Sequence, residues 1–126
     1  MLDTADVIAF VPTRDFEKAR RFYEQTLGLK LISEDPFALL FNANGVTLRI
    51  VKLAEAENFR PASFTILGWR VASAAATVRE LSQKGVAFER FPGMNQDALG
   101  IWQSPSGAHV AWFKDPEGNL LSVTDG

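Results

Sequence analysis

The chain has 126 residues, of which 47% are hydrophobic and 22% are charged, a composition typical of one globular domain that buries a core. Its net charge of −2 and its interspersed basic and acidic residues give a nucleic acid no basic patch to bind. It has no cysteine and no apolar run near the ~20 residues that span a bilayer, and we expect no N-terminal signal sequence. These features exclude disulfides, thiolate metal sites and a membrane partner, and we expect a cytoplasmic protein.

The first half of the chain predicts a strand, a helix and three further strands. Residues 7–11 form an apolar run closed by Pro12, which indicates a strand buried on both faces. Asp15 is the predicted N-cap of a helix whose apolar residues recur at helical spacing until Gly28. The pair Asn44-Gly45 predicts a tight hairpin between the last two strands. The three strands span residues 29–34, 37–41 and 46–53.

The second half repeats this order with an added strand or loop, which indicates two copies of one βαβββ module. A helix is predicted over residues 74–83, with Ala75, Val78 and Leu81 facing inward and Gly85 ending it. The turn at residues 115–119 is explained by the backbone preferences of Asp, Pro, Gly and Asn, without a catalytic or calcium-binding role. The predicted strands span residues 64–71, 86–91, 101–103, 108–114 and 120–124.

These elements predict a single α+β domain made of two tandem modules. Module 1 spans residues 1–53, a polar connection spans 54–62, and module 2 spans 63–126. The modules are expected to form a curved, mostly antiparallel sheet with helices on its outer face. The inner face would border a cleft, and a cleft between two half-domains commonly binds a small molecule.

Three motifs along the chain carry a resemblance to a known family. They are FVPTRD at 10–15, the pair FY at 22–23 followed by LGL at 27–29, and FKDPEGN at 113–119. In this order they resemble the vicinal oxygen chelate superfamily, which includes glyoxalase I, extradiol dioxygenases, and fosfomycin- and bleomycin-resistance proteins. The resemblance covers nearly the whole chain and implies the two-module fold. It also implies a symmetric homodimer whose clefts are built from both chains.

The resemblance further implies four strand positions at which the enzymes of the superfamily hold a divalent metal with His, Gln or Glu. In this chain those positions are Ile8, Arg49, Ile66 and Ser122. Isoleucine has no donor atom for a metal. Arginine is always cationic and carries only hydrogen-bond donors, so it would repel a divalent ion. We therefore expect no metal cofactor.

Arg49 and His109 are the candidate charged residues of the site. A long cation on a strand that faces the cleft is favoured when an anionic or carbonyl group meets it, so Arg49 is a candidate ligand-binding residue. Alternatively, Arg49 pairs with Asp35 or Glu89 of the same domain, or its long side chain extends to the rim of the cleft. His109 is the only histidine and is a candidate general acid or base. The alternative for His109 is a strand histidine that faces solvent.

The three tryptophans all lie in module 2. Trp69 is predicted to belong to the core, because an aromatic side chain buries a large area. Trp102 follows Gly100 in a polar, loop-like stretch, where packing alone gives little reason for an aromatic residue. Trp102 and Trp112 are therefore candidate contacts for a flat or apolar ligand. Ser122, at the position where the family has a glutamate, completes the predicted ligand-binding residues.

Two functions remain open at this point. The first is a metal-independent binding protein of the bleomycin-resistance type, which holds a planar or partly apolar small molecule in the cleft. The second is an enzyme of the same superfamily, a lyase, isomerase or dioxygenase acting on a small carbonyl or vicinal-oxygen substrate. Such an enzyme would use metal ligands at other positions or acid–base chemistry of Asp, Glu or His. The altered ligand positions favour the first function.

Overall fold

The computed structural model describes residues 1–54 and 58–126, in two compact units, Met1–Arg60 and Pro61–Gly126. Residues 55–57 of the predicted connection lie outside the described residues. The α+β class predicted from the sequence is confirmed, because each unit combines one main helix with a four-stranded mixed sheet. Within the described ranges, no helix combines the length and the apolar character that a membrane crossing requires.

The first unit contains one sheet with the strand order β1-β4-β3-β2, in which only the pair of β1 and β4 is parallel. A one-turn 3-10 helix, Leu2–Thr4, precedes the sheet, and α1 continues as a π-helical segment, Arg21–Thr26. The labelled elements are β1 (Ile8–Thr13), α1 (Phe16–Arg20), β2 (Lys30–Glu34), β3 (Ala38–Ala43) and β4 (Val46–Lys52).

Local sequence signals account for the boundaries of these elements. The Asp15 side chain accepts a hydrogen bond of 3.1 Å from the Lys18 amide and thus caps α1 as predicted. Gly28 ends the helical segment with a φ of 77°, a conformation that residues with a Cβ rarely adopt. Asn44 and Gly45 both have positive φ, at 51° and 91°, which is the backbone of the predicted tight hairpin.

The prediction that the first strand is buried on both faces is wrong. Val11 is fully buried, but Ile8 and Phe10 on the opposite face are 51% and 61% exposed. One face of this sheet carries the core, where Tyr23 from the helical segment packs against Phe41 with ring centroids 6.0 Å apart. The other face of the sheet is open. Pro12 does not end the strand, which runs on to Thr13.

The second unit has the corresponding order β5-β8-β7-β6, again with one parallel pair, β5 and β8. The second helix has the bounds predicted from the sequence and contacts β7 and β8. Its fully buried residues are Ala74 and Val78, whereas the expected Ala75 is half-buried. The labelled elements are β5 (Leu67–Arg70), α2 (Ala74–Gln83), β6 (Trp102–Gln103), β7 (His109–Lys114) and β8 (Leu120–Asp125).

The strand predicted over residues 86–91 does not form. Phe88 makes only an isolated bridge to Phe113, and the Glu89 amide donates to the Trp112 carbonyl. These contacts use one half of the free edge of β7, and β6 pairs with the other half, from His109 to Val110. Two segments thus share one edge, so neither extends into a long strand.

The turn between β7 and β8 is held by its own polar groups. The Asp115 carboxylate is buried and accepts hydrogen bonds of 2.9 Å from the amides of Glu117 and Asn119 and from the Asn119 side chain. This arrangement agrees with the structural explanation given by the sequence pattern.

Candidate functional site

The second sheet has one covered face and one open face. Leu121, Val123 and Phe113 are buried on the side that α2 covers. Residues paired directly across neighbouring strands point to the same side of a sheet. The register pairs Gly68 with Ser122 and Ser122 with Trp112, so these three residues form one row on the open face.

Three aromatic rings stand together at this face and form what we call the aromatic wall, Phe91, Trp102 and Trp112. The Phe91 and Trp112 rings meet edge to face with centroids 5.4 Å apart. The Trp102 and Trp112 rings lie 6.2 Å apart and are tilted by 38°. The structure thus brings together two tryptophans that are ten residues apart in the sequence, and all three rings are half-buried.

The row beside the wall is made of small residues. Gly68 has no side chain, and a Cβ atom at this position would lie 2.7 Å from the Ser122 Oγ. The Ser122 hydroxymethyl group is therefore the only side chain of this cross-strand pair. A large ring next to two small residues is a shape that a flat molecule can cover.

A cavity of about 430 Å³ lies at one end of the aromatic wall, where Phe91 forms part of its lining. Its charged groups are Lys114 and Glu89, whose Nζ and Oε1 atoms are 3.5 Å apart. Its apolar lining includes Leu120 and the ring of Pro61. The cavity thus offers apolar surface and a partly exposed ion pair next to the aromatic wall.

His109 lies on the same strand as Trp112 but on the opposite face. Its Nδ1 atom is 2.7 Å from the Asp125 Oδ1, and the other oxygen of Asp125 accepts a bond of 2.7 Å from the Ala74 amide at the start of α2. The Ala74 amide and then the His109 ring hold the pKa of the Asp125 carboxyl below its ordinary value. This geometry gives His109 a structural contact that links β7, β8 and α2.

Arg49 belongs to the first unit, where it stands on the open face of the sheet between Phe10 and Leu40 in register. Of the two partners considered in the sequence, Glu89 pairs with Lys114. The pKa of Asp35 is lowered mainly by hydrogen bonds from the amides of Phe37 and Ala38, and the charge of Arg49 contributes least, so Arg49 interacts only weakly with Asp35. No residue of the ranges 1–54 and 58–126 forms an ion pair with Arg49.

The sequence interpretation missed Phe91, Lys114 and Gln96. Phe91 lay in a predicted strand, and nothing in its spacing pointed to the ring of Trp112. For Lys114 the sequence predicts only its place at the end of a strand. Gln96 makes three hydrogen bonds through its side chain, and no local pattern could reveal them because its partners are four to seven residues away.

The four positions that hold a metal in related enzymes do not form a ligand set in this chain. Ile8 and Ile66 offer no donor atom, Arg49 is a cation, and Ser122 contributes one neutral hydroxyl. In the part of the chain that the structure describes, no three His, Asp or Glu side chains are grouped so that they could hold a metal ion. The residues at these positions therefore do not fit a divalent metal.

The family model described as the Glyoxalase/Bleomycin resistance protein/Dioxygenase superfamily matches residues 4–123. The chain belongs to this superfamily. The family resemblance seen in the sequence motifs is thereby confirmed. No curated protein matches the chain.

Several solved structures share this fold over nearly the whole chain. A member from Sphaerobacter thermophilus is 22% identical, with a TM-score of 0.74 and complete coverage of both chains. A lactoylglutathione lyase from Agrobacterium tumefaciens is 18% identical, with a TM-score of 0.74 and coverage of 98% of this chain and 94% of that one. TnmS3, an antibiotic-binding protein from Streptomyces sp. CB03234, is 24% identical, with a TM-score of 0.72 and coverage of 99% and 98%.

Proposed function

We propose that this superfamily member binds a planar, partly apolar small molecule on the open face of its second sheet and does so without a metal. The observation that carries the proposal is the aromatic wall beside the small residues Gly68 and Ser122. A flat ligand would stack on Trp102 and Trp112 and lie over the row of small side chains. Ser122 would then donate or accept a hydrogen bond at the edge of the ligand. The similarity in fold to an antibiotic-binding protein supports a binding role of this kind.

Stacking on tryptophan makes the proposal testable by fluorescence. The probe is anilinonaphthalene sulfonate, a largely apolar dye with a flat naphthalene ring system and one negative charge. Trp112→Leu should weaken its binding by roughly 0.5–1.5 kcal/mol, the scale of an aromatic pair, or about two- to twelvefold in Kd. The matched control is Trp69→Leu, since Trp69 pairs in register with the buried Val123 and lies on the covered face. Equal affinities of the two variants for the dye would overturn the proposal.

Trp102 is expected to report the bound dye directly. Trp102→Phe should remove a large part of the quenching of protein fluorescence, because Trp102 is one of the two indoles of the wall. Trp69→Phe is the matched control and should leave the quenching nearly complete. Undiminished quenching in Trp102→Phe would remove this residue from the site.

Arg49 is proposed as a second point at which this protein meets a polar or anionic group. Its guanidinium forms no ion pair with any described residue, and it lies between two apolar side chains on an open sheet face. Arg49→Ala should weaken binding of an anionic probe by roughly 1.5–3 kcal/mol, the scale of a charge-assisted hydrogen bond. The test compares the sulfonated dye with uncharged anilinonaphthalene by calorimetry. An equal loss for both compounds would contradict the proposed charge contact.

Metal independence is a separate part of the proposal and has its own test. An ion that binds only the native state must raise the melting temperature. We expect no shift with Ni²⁺, Mn²⁺, Fe²⁺, Co²⁺ or Zn²⁺ and no metal in the purified protein. A stoichiometric metal with a clear shift would favour the enzymatic alternative, a lyase, isomerase or dioxygenase of the same superfamily.

We further propose that the protein works as a cytoplasmic homodimer. The open face of the first sheet supports a partner of this kind, since Ile8 and Phe10 expose apolar surface there. Sedimentation of the wild type should give a dimer, and Phe10→Glu should shift it towards the monomer. A monomeric wild type would refute this part of the proposal.

A further inference from the structure

The loop of residues 89–101 determines where two rings of the aromatic wall lie. Phe91 stands near its start, and the loop leads directly into Trp102 on β6. The loop contains no helix, and its pairing with strands is limited to the Glu89 amide, which donates to the Trp112 carbonyl of β7, and to a bridge between Gln96 and Trp102. The backbone hydrogen bonds inside the loop join residues close in sequence, Met94 to Phe91, Gln96 to Met94, Asp97 to Ile101 and Gly100 to Asp97, so a link between its two ends must come from side chains.

The side-chain amide of Gln96 ties the two ends of this loop together. Its Oε1 accepts a hydrogen bond of 2.9 Å from the Phe91 amide. Its Nε2 donates to the carbonyl oxygens of Glu89, at 2.9 Å, and Gly100, at 2.8 Å. One amide thus fixes the backbone at Phe91 and the backbone two residues before Trp102.

Two other polar side chains, Arg90 and Asp97, also order the loop. Asp97 accepts hydrogen bonds of 2.9 Å from the amides of Leu99 and Ile101, and the Arg90 Nη2 donates 2.8 Å to the Ala98 carbonyl. None of these bonds reaches the backbone of Phe91. Arg90 reaches only the middle of the loop, whereas the Gln96 side chain bonds to backbone groups at both ends.

The chemistry of the three bonds requires an amide. Both hydrogens of the Nε2 group are donated to carbonyl oxygens, and the Oε1 faces an N–H group. A carboxylate has the same shape but no hydrogen to donate, so it would face two carbonyl oxygens with a negative charge. A polar group left without partners in a half-buried place costs more than the bond itself contributes.

We propose that Gln96 is the positioning residue of the aromatic wall. It holds Phe91 on one side of Trp112 and Trp102 on the other, and so sets the spacing of the rings before a ligand arrives. Its effect on ligand affinity rests on the function proposed above, since a preformed surface binds at a lower entropic cost. Its effect on the rings does not depend on any ligand.

The test uses Gln96→Glu, with Gln103→Glu as the matched control. Gln103 is exposed on β6 next to Trp102, so the control adds the same charge near the same indole without entering the loop. The first readout is the exciton band of the coupled Trp102 and Trp112 indoles in circular dichroism of the ligand-free protein. The second readout is affinity for anilinonaphthalene sulfonate. The amide region of the spectrum and the urea midpoint report whether each variant is folded.

We expect Gln96→Glu to lose most of the exciton band at neutral pH and to bind the dye about two- to twelvefold more weakly, the conversion of a lost aromatic pair. The band should partly return as the pH falls towards ~4.5, because a protonated carboxyl regains one donor. Gln103→Glu should keep the wild-type band at every pH. If Gln96 only stabilised the fold and did not position the two indoles, the exciton band of Gln96→Glu would not depend on pH.

A wild-type band in folded Gln96→Glu would overturn the inference. A lost band with unchanged dye affinity would support the positioning role and contradict the proposed binding surface, so the two failures are distinguishable. If Gln96→Glu does not fold, Gln96→Met removes the three bonds without adding a charge. Its band should be weak and independent of pH, and an intact band would again overturn the inference.

Discussion

The close approach of Gly68 and Ser122 predicts that Gly68→Ala destabilises the wild type but does not destabilise a Ser122→Ala variant. Gly68 lies in β5, and its φ is not positive, so alanine can adopt the same backbone. The added Cβ would lie 2.7 Å from the Ser122 Oγ and 3.3 Å from the Ser122 carbonyl oxygen. The first distance is too short for any real contact, so the serine side chain must rotate or the strands must separate.

The expected magnitude follows from two opposing effects. Overfilling a close contact costs roughly 1–3 kcal/mol. Replacing glycine within a strand recovers roughly 0.5–1 kcal/mol, because glycine loses more conformational entropy on folding. Gly68→Ala should therefore lower the free energy of unfolding by about 0.5–2 kcal/mol. In a Ser122→Ala background the nearest atom is gone, and the same substitution should be neutral or stabilising by up to about 0.5 kcal/mol.

The assay is a double-mutant cycle from urea unfolding of the wild type, the two single variants and the double variant. A coupling energy of about 1 kcal/mol or more would show that Gly68 and Ser122 meet as described. An equal cost of Gly68→Ala in both backgrounds would refute the register of β5 and β8 and, with it, the row of small residues beside the aromatic wall.

Two further predictions concern stability. The pKa of Asp125 is lowered first by the Ala74 amide and then by the His109 ring. The ionised carboxylate therefore stabilises the fold above its ordinary pKa of about 3.9, and this stability is lost as the pH falls through the lower pKa of the folded state. The melting temperature of the wild type should therefore fall more steeply below about pH 4 than that of Asp125→Asn, and equal slopes would contradict this contact. Asp115→Ala leaves the amides of Glu117 and Asn119 and the Asn119 side chain without their shared acceptor, and urea unfolding should show a loss of at least about 3 kcal/mol. The exposed Asp6→Ala is the control for this measurement, and a loss below about 1 kcal/mol in Asp115→Ala would show that the turn does not depend on the carboxylate.

Local sequence signals predicted most of the elements because each signal acts within a few residues. Asp15 caps α1, Gly28 ends the helical segment, and Asn44-Gly45 makes the hairpin, as expected. The bounds of α2 followed from its helical period. The superfamily also followed from motifs in the sequence, and the family model bears it out. Arg49, Trp102, Trp112, Ser122 and His109 remain predictions as site residues.

Burial could not be derived in the same way, because an apolar run does not reveal how many sides of a strand are covered. The sequence predicted a first strand buried on both faces, whereas Ile8 and Phe10 lie on an open face. It also predicted a strand over residues 86–91, where two segments compete for the single free edge of β7.

The sequence by itself determined the fold class, the superfamily and the absence of metal-binding side chains at four positions, because these depend on composition, spacing and residue type. Only the tertiary structure decided which residues meet. Strand register brought Ser122 beside Gly68 and Trp112. The hydrogen bonds of Gln96 cross a loop that has no regular hydrophobic pattern, and they hold Phe91 and Trp102 next to Trp112. Such contacts join residues that share no local pattern, so they exist only once the chain has folded.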